Sequence, residues 1–235
     1  MIGNQIINFD LIDSTNDYIK KHLESLSHGT IVTASKQSKG RGRLNNTWQS
    51  PLGNLYFSFV LKQNTKQEDL FSLQITVSLA LIKLLEIYNV TSKIKYPNDI
   101  LVNNKKIAGI LIETSGYTNI ESIIIGIGLN LNQIDFYDLN VKATSVKKEN
   151  GISYEALDFL NQFIVIYNSL KYNQSLYFEY ILKSNTIGKT VTYNDKKYIV
   201  KNILENGNLL LSNNDEDIEI HFAKISFTEL YNSIK

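Results

Sequence analysis

The residues best suited to chemistry lie between Lys36 and Trp48, in the run K-Q-S-K-G-R-G-R-L-N-N-T-W. Four cations, Lys36, Lys39, Arg41 and Arg43, fall within eight residues, and Gly40 and Gly42 alternate with the arginines. Backbone N–H groups released by glycine and the forked donors of arginine can converge on one anion, so the pattern predicts a loop that holds a phosphate. No Asp or Glu occurs from Ser25 to Gln67, which leaves nothing within the segment to neutralise it. A solvated glycine-rich turn would carry the same residues, and the loop alone does not decide between the two.

Three other clusters bear on that choice. Asp13-Ser14-Thr15-Asn16 follows a short apolar strand, Ile6 to Leu11, and precedes an amphipathic run from Tyr18 to Leu26. These side chains either cap a helix or point two hydroxyls and an amide into a pocket for a small polar ligand. Lys95 to Asp99, K-Y-P-N-D, must turn at the proline and present Asn98 and Asp99 at a strand end. A hairpin at Asn103-Asn104-Lys105-Lys106 then delivers Lys106 beside Ala108 and Gly109, where small residues permit close approach of a ligand; a plain hairpin-edge lysine reads the same way. Finally, Gly126 and Gly128 stand two apart in the strand Ser122 to Leu131, so they share a face, and Asn130 continues it. Two missing side chains make a flat floor for a ring, or admit a neighbouring core group.

The elements that must position these groups are legible from periodicity. Thr30 to Ser35 is β-rich, and Leu55, Phe57, Phe59 and Leu61 alternate with Tyr56, Ser58 and Val60, so the basic loop is slung between two strands. Leu70, Leu73, Val77, Leu81, Leu84 and Tyr88 mark a helix with a core-facing stripe. Gln133 to Gly151 reads as a loop, and Leu157, Leu160, Ile164, Tyr167, Leu170 and later apolar positions predict one long helix. After Asn185 short β segments recur, Thr190–Tyr193, Lys197–Leu204, Asn208–Ser212 and Asp217–Phe222, with Asn206-Gly207 a hairpin signal. This predicts a five-strand barrel as a second domain: residues 1–184 and 185–235.

Composition excludes several classes. The chain has 235 residues, 43% hydrophobic, with a net charge of +1, which argues against a dedicated nucleic-acid binder. It has no cysteine, so thiolate nucleophiles and cysteine zinc sites are excluded, and His22, His28 and His221 lack ligand spacing. The N-terminus lacks a signal pattern and no 18-residue apolar stretch is expected, which predicts a cytoplasmic protein with no membrane partner.

Ser14-Thr15-Asn16, G-R-G-R with Trp48 and S-P-x-G-N-L-Y after it, K-Y-P-N-D, K-x-A-G-I-L-x-E and G-I-G-L-N, in that order, closely resemble the biotin protein ligases. The resemblance covers nearly the whole chain. It implies an α+β fold: a mixed β-sheet catalytic domain related to class II aminoacyl-tRNA synthetases, then a small SH3-like barrel. It also implies ATP-dependent activation of biotin to biotinyl-5′-AMP, with Mg²⁺, and transfer to a lysine of a biotin carboxyl carrier protein.

By the resemblance, biotin is contacted by Ser14, Thr15, Asn16, Gln37, Gly40, Arg41, Arg43, Lys106, Gly109, Gly126 and Gly128. ATP is contacted by Arg41, Arg43, Trp48, Asn98, Asp99, Lys106 and Asn130, with Asp99 toward Mg²⁺ and Lys106 and Arg41 as catalytic groups. Adenylation joins one anion to another, so cations in place serve it and no protein nucleophile is needed. Three departures stand out. Leu44-Asn45-Asn46 replaces a second basic repeat, Tyr96 replaces a common tryptophan, and about a dozen residues precede Ser14, too few for a DNA-binding winged helix. The expectation is a ligase that does not bind DNA, with its oligomeric state open, a homodimer included. A lipoate or octanoate ligase, a non-catalytic biotin-binding module and a single-stranded nucleic-acid binder are the alternatives.

Overall fold

The structure, a computed structural model, describes residues 1–43, 46–66, 69–115, 120–136 and 142–221, with only the backbone of residues 64 and 65. Seven strands form one mixed sheet: β1 (Ile6–Ile12), β2 (Ile31–Gln37), β3 (Leu55–Thr65), β4 (Lys93–Lys95), β5 (Asp99–Val102), β6 (Lys105–Ser115) and β7 (Ile120–Leu129). Their spatial order is β1-β2-β3-β7-β6-β5-β4. β1 and β2 are parallel, which requires a crossover, supplied by the short helix α1 (Thr15–Lys21) and the turns after it. The remaining neighbours are antiparallel.

The period of two along β3 and β7 divides their side chains between two faces. Leu55, Phe57, Phe59 and Leu61 pair with Leu129, Ile127, Ile125 and Ile123, and all eight are buried in the main core. That core is covered by α2 (Leu70–Ile87), α4 (Ala156–Ser169) and α5 (Gln174–Lys183). On the opposite face Val60 and Ile124 join Ile19 of α1 and Val32 in a smaller apolar cluster, and beyond it the face turns polar: Ser58 pairs with Gly126, and Tyr56 with Gly128.

Four expectations need correction. The apolar stretch thought absent exists, because α2 spans 18 residues at mean hydropathy 1.8; two thirds of it is buried inside the fold, as the central helix of the core. α1 starts at Thr15, because Ser14 is its N-cap and accepts from the Asp17 amide, and it ends at Lys21 instead of Leu26. The predicted loop 133–151 contains a helix, α3 (Val146–Asn150), capped by Ser145 and ended by Gly151 at φ 81°. The single long helix is two. Leu170 leaves the helical region at ψ 129°, and Asn173 caps α5 by accepting from the Leu176 amide, which re-aims Leu176, Tyr177 and Tyr180 into the core. Leu157 is exposed, and Phe159, Leu160 and Phe163 carry the buried stripe of α4.

The last described residues form a small antiparallel sheet, β8 (Thr190–Tyr193), β9 (Lys196–Ile203), β10 (Leu209–Ser212) and β11 (Asp217–Ile220), in the order β11-β10-β9-β8. Asn194 and Asp195 both have positive φ, as a two-residue hairpin turn requires. Phe222, expected to end the last strand, lies outside the described residues. Tyr198, Val200, Ile203, Leu209 and Leu211 belong to the same apolar core as Phe71 and Tyr96. The Tyr96 hydroxyl donates to the Gly207 carbonyl, and a Cβ at Gly207 would meet the Phe71 ring at 2.8 Å. The small sheet therefore rests directly on the K-Y-P-N-D turn.

Candidate functional site

The basic run between β2 and β3 closes on itself as a hairpin. Arg41 bridges Thr47, the Gly42 amide donates to the Asn46 carbonyl at 2.7 Å, and the Trp48 amide to the Gly40 carbonyl at 2.9 Å. Leu44 and Asn45, two of the residues replacing a second basic repeat, lie outside the described residues. Nothing within Ser25 to Gln67 neutralises the run, and its counter-charges come from outside that segment. Acids arrive from distant parts of the chain: Asp13 pairs with Lys39 at 3.0 Å, and Asp17 of α1 and Glu113 of β6 pair with Arg41 Nη2 at 2.7 and 2.8 Å. The first pair is largely solvent-exposed and contributes little. The Arg41 pairs are half-buried, so solvent screens them less.

Under the hairpin lies a polar wall. Thr15 and Asn16, buried at the start of α1, face Gln37 at the end of β2. Gln37 Oε1 accepts from the Thr15 amide at 2.9 Å and from its hydroxyl at 3.2 Å. The Thr15 hydroxyl lies 2.6 Å from that of Ser58, which donates to Asn16 Oδ1 at 2.5 Å, and Asn16 Nδ2 donates to Glu113 Oε2 at 2.8 Å. Gly126 is needed here, since a Cβ would overlap the Asn16 amide. Ser14 lines the same recess while its hydroxyl caps α1, so the capping and pocket readings of this cluster hold together.

The floor beyond the wall is occupied by a ring, and the ring belongs to the chain. Trp48 lies against Gly128, where a Cβ would overlap the indole, and against Gly109, where a Cβ would meet Cζ3 at 2.9 Å. Gly40 admits the Trp48 carbonyl in the same way. Lys106 Nζ stands 4.9 Å above the indole centroid, a cation–π distance, and pairs with Asp99 Oδ1 at 2.7 Å. Asn98 accepts from Arg43 Nη1 at 2.9 Å and donates to the Ile110 carbonyl at 3.1 Å. Burial draws the Arg43 guanidinium below its ordinary range and Asp99 works against it, so this buried cation is one that an anion would stabilise.

Ser14, Thr15, Asn16, Gln37, Arg41, Arg43, Trp48, Asn98, Lys106, Gly109, Gly126 and Gly128 thus converge on one recess of about 50 Å³. Three expected residues stand behind it. Asp99 reaches it through Lys106, Gly40 supports Trp48, and Asn130 is turned to the backbone, donating to the Thr144 carbonyl at 3.0 Å and the Lys106 carbonyl at 3.4 Å. A much larger cleft, about 480 Å³, shares Arg43, Asn98 and Ile110 with the recess and runs toward Phe71, Asn206 and Asn208. Pockets for drug-sized ligands measure about 300–1,000 Å³, and in the recess Trp48 fills the space over Gly109 and Gly128. The cations and the polar wall meet in the recess.

Sequence reasoning passed over Ser58, Glu113, Asp13 and Asp17. Ser58 had a signal, as the one hydroxyl between the aromatic residues of an apolar strand. Glu113 ends the K-x-A-G-I-L-x-E motif but had no role. Among the described residues no group of three His, Cys, Asp or Glu is close enough to hold a metal by itself. Asp99, one carboxylate beside cations, fits a magnesium carried in by phosphates, an ion that commonly takes only one or two protein carboxylates.

Comparison with known proteins gives this site a relative. Residues 8–130 match the model of the biotin/lipoate A/B protein ligase family. The chain is 35% identical over 158 residues to the bifunctional ligase/repressor BirA of Bacillus spizizenii, covering 64% of this chain and 49% of that protein. It is 34% identical over 157 residues to the biotin–[acetyl-CoA-carboxylase] ligase of Paracoccus denitrificans, covering 63% of this chain and 65% of that one. The chain therefore spans about half the length of the BirA relative. Among solved structures, the biotin protein ligase from Aquifex aeolicus in complex with biotin and ATP superposes with a TM-score of 0.79 at 28% identity, covering 95% of this chain and 98% of that one.

Proposed function

The chain belongs to the biotin/lipoate A/B protein ligase family, and from that membership we propose that it is a biotin protein ligase. It activates biotin with ATP to biotinyl-5′-AMP and transfers the biotinyl group to a lysine of a biotin carboxyl carrier protein. One observation carries the reading. The hydroxyl-and-amide wall of Thr15, Gln37 and Asn16 stands in the same recess as Lys106, Arg43 and Trp48. A neutral polar ring is bonded at one end and negative charge is gathered at the other.

In the first step a carboxylate oxygen of biotin attacks the α-phosphorus, an O–P bond forms, and the bond to the β-phosphate oxygen breaks to release pyrophosphate. Lys106 and Arg43 offset the charge that accumulates there, and Asn98 holds Arg43 in place. Trp48 packs against the adenine once off its glycines. Magnesium held at Asp99 would supply further charge neutralisation to the phosphates. In the second step the neutral amine of the carrier lysine attacks the acyl carbon, an N–C bond forms, the acyl C–O bond breaks so that AMP leaves with the electron pair, and the amine's proton passes to solvent.

The proposal extends to the architecture. Residues 1–184 form the catalytic domain, residues 185–235 an SH3-like barrel seated beside the phosphate side of the site, and the enzyme works in the cytoplasm. The test is pyrophosphate release on mixing the protein with ATP, Mg²⁺ and either biotin or lipoate, without a carrier. Release with biotin and not with lipoate is expected; the reverse would move the assignment to the lipoate branch of the family.

A further inference from the structure

Both ends of the basic hairpin are tied to the polar wall beneath it, and the tie can be followed atom by atom. At one end Arg41 Nη2 donates to Glu113 Oε2, which also accepts from Asn16 Nδ2, each at 2.8 Å. Asn16 Oδ1 accepts from the Ser58 hydroxyl, which accepts from the Thr15 hydroxyl, and the Thr15 amide donates to Gln37 Oε1. At the other end Gln37 Nε2 donates to the Ser50 hydroxyl at 3.0 Å, which donates to the Trp48 carbonyl at 3.1 Å. Thr15, Asn16 and Ser58 are all less than 5% exposed, so water does not compete for these bonds.

Charge also separates the two arginines. Arg41 stands between two carboxylates, Asp17 and Glu113, which leaves its surroundings with a net negative charge and makes it a poor receptor for a phosphate. Arg43 bonds the neutral amide oxygen of Asn98. The sequence expectation placed both arginines on biotin and ATP and made Arg41 catalytic as well.

We propose that Glu113 is a positioning residue for the reaction: its carboxylate ties Arg41 to Asn16, so that Arg41 is a strut setting the hairpin over the pocket and does not itself bind the phosphate. This rests on the ligase reading for its reaction, but not for its geometry. Removing either end of the strut shifts Trp48 and Arg43 together, because both are carried by the hairpin that Arg41 begins.

The experiment is a double-mutant cycle of Arg41→Ala and Glu113→Ala with two readouts. The first is the fluorescence emission of Trp48, the only tryptophan, in the protein without ligands. The second is the KM for ATP and the kcat of biotin-dependent pyrophosphate release. Each single substitution is expected to raise the KM for ATP by about tenfold with a smaller change in kcat, and the double variant to lie within about twofold of the worse single one. All three are expected to share one shift in emission. Glu113→Gln is expected to recover most of the loss, since both contacts fall on one oxygen that an amide carbonyl replaces. Losses that multiply in the double variant, or a Glu113→Ala variant with unchanged emission and KM, would overturn the strut. If the alanine variants do not fold, Arg41→Met and Glu113→Leu, which remove the contact while keeping much of the side-chain volume, complete the same cycle. A wild-type protein that releases no pyrophosphate with biotin would refute the ligase reading, while the emission cycle would still decide the strut.

Discussion

The two faces of the seven-stranded sheet are written by alternate residues of the same strands, yet they are built for opposite ends. On the helix-covered face Phe57 and Ile127 are neighbours across the β3–β7 ladder; one position along, on the other face, stand Ser58 and Gly126. The first pair removes apolar surface from water, and the second removes side chains so that Asn16 can enter. The lesson is that stability and chemistry are separable here by residue parity. Substitutions on one face are expected to change how much protein is folded, and on the other what the folded protein does.

The largest expected effect falls on the helix face. Phe57→Ala removes a fully buried ring whose centroid lies 5.0 Å from that of Phe163, and large-to-small changes of this kind cost about 3–5 kcal/mol. Urea unfolding measures the loss, and kcat per folded molecule is expected to stay within about twofold of wild type. A large fall in that kcat would break the separation.

Lys106→Ala comes next, on the site face. Loss of one cation aimed at developing charge is expected to slow pyrophosphate release by about 10²–10³-fold, while the biotin affinity and the unfolding midpoint move little. Equal losses in binding and rate would make Lys106 a binding residue. Gly126→Ala is milder. Its Cβ overlaps the Asn16 amide, so Asn16 must swing out of the wall, and biotin binding is expected to weaken by about tenfold, a disturbed buried hydrogen bond. Calorimetric titration with biotin reads this directly.

The smallest effect is on the outermost tie of the hairpin. The Ser38 hydroxyl, and after it Lys39, hold the Asp13 carboxyl below its ordinary 3.8. A depressed carboxyl stabilises the fold above its unfolded pKa, and that contribution is lost as pH falls through the lower folded value. The part of the Trp48 emission that depends on Asp13, read as the difference between wild type and Asp13→Asn, is therefore expected to change only below about pH 3.8. A response near neutral pH would place another group in control of the hairpin.

Much of this molecule was legible in the sequence because strand alternation and turn chemistry are local. The Leu55–Leu61 alternation, the paired glycines 126 and 128 and the Asn206-Gly207 turn each needed only near neighbours to be recognised. What escaped was set by partners far along the chain. The neutralisation of Arg41 depends on Glu113, 72 residues away, which no window around the basic run contains. The break between α4 and α5 was hidden because apolar residues continue through it, and only the cap at Asn173 marks it. Nor does a pair of glycines reveal what lies on them. Gly128 receives the chain's own Trp48, because an indole on a bare strand buries its ring as well as a ligand would.

The most direct test of the separation is to incubate wild type, Lys106→Ala and Phe57→Ala with biotin, ATP and Mg²⁺ and to detect biotinyl-5′-AMP in each by mass spectrometry. The adenylate is expected in wild type, undiminished per folded molecule in Phe57→Ala and nearly absent in Lys106→Ala. No adenylate in wild type, or as much in Lys106→Ala, would contradict this expectation.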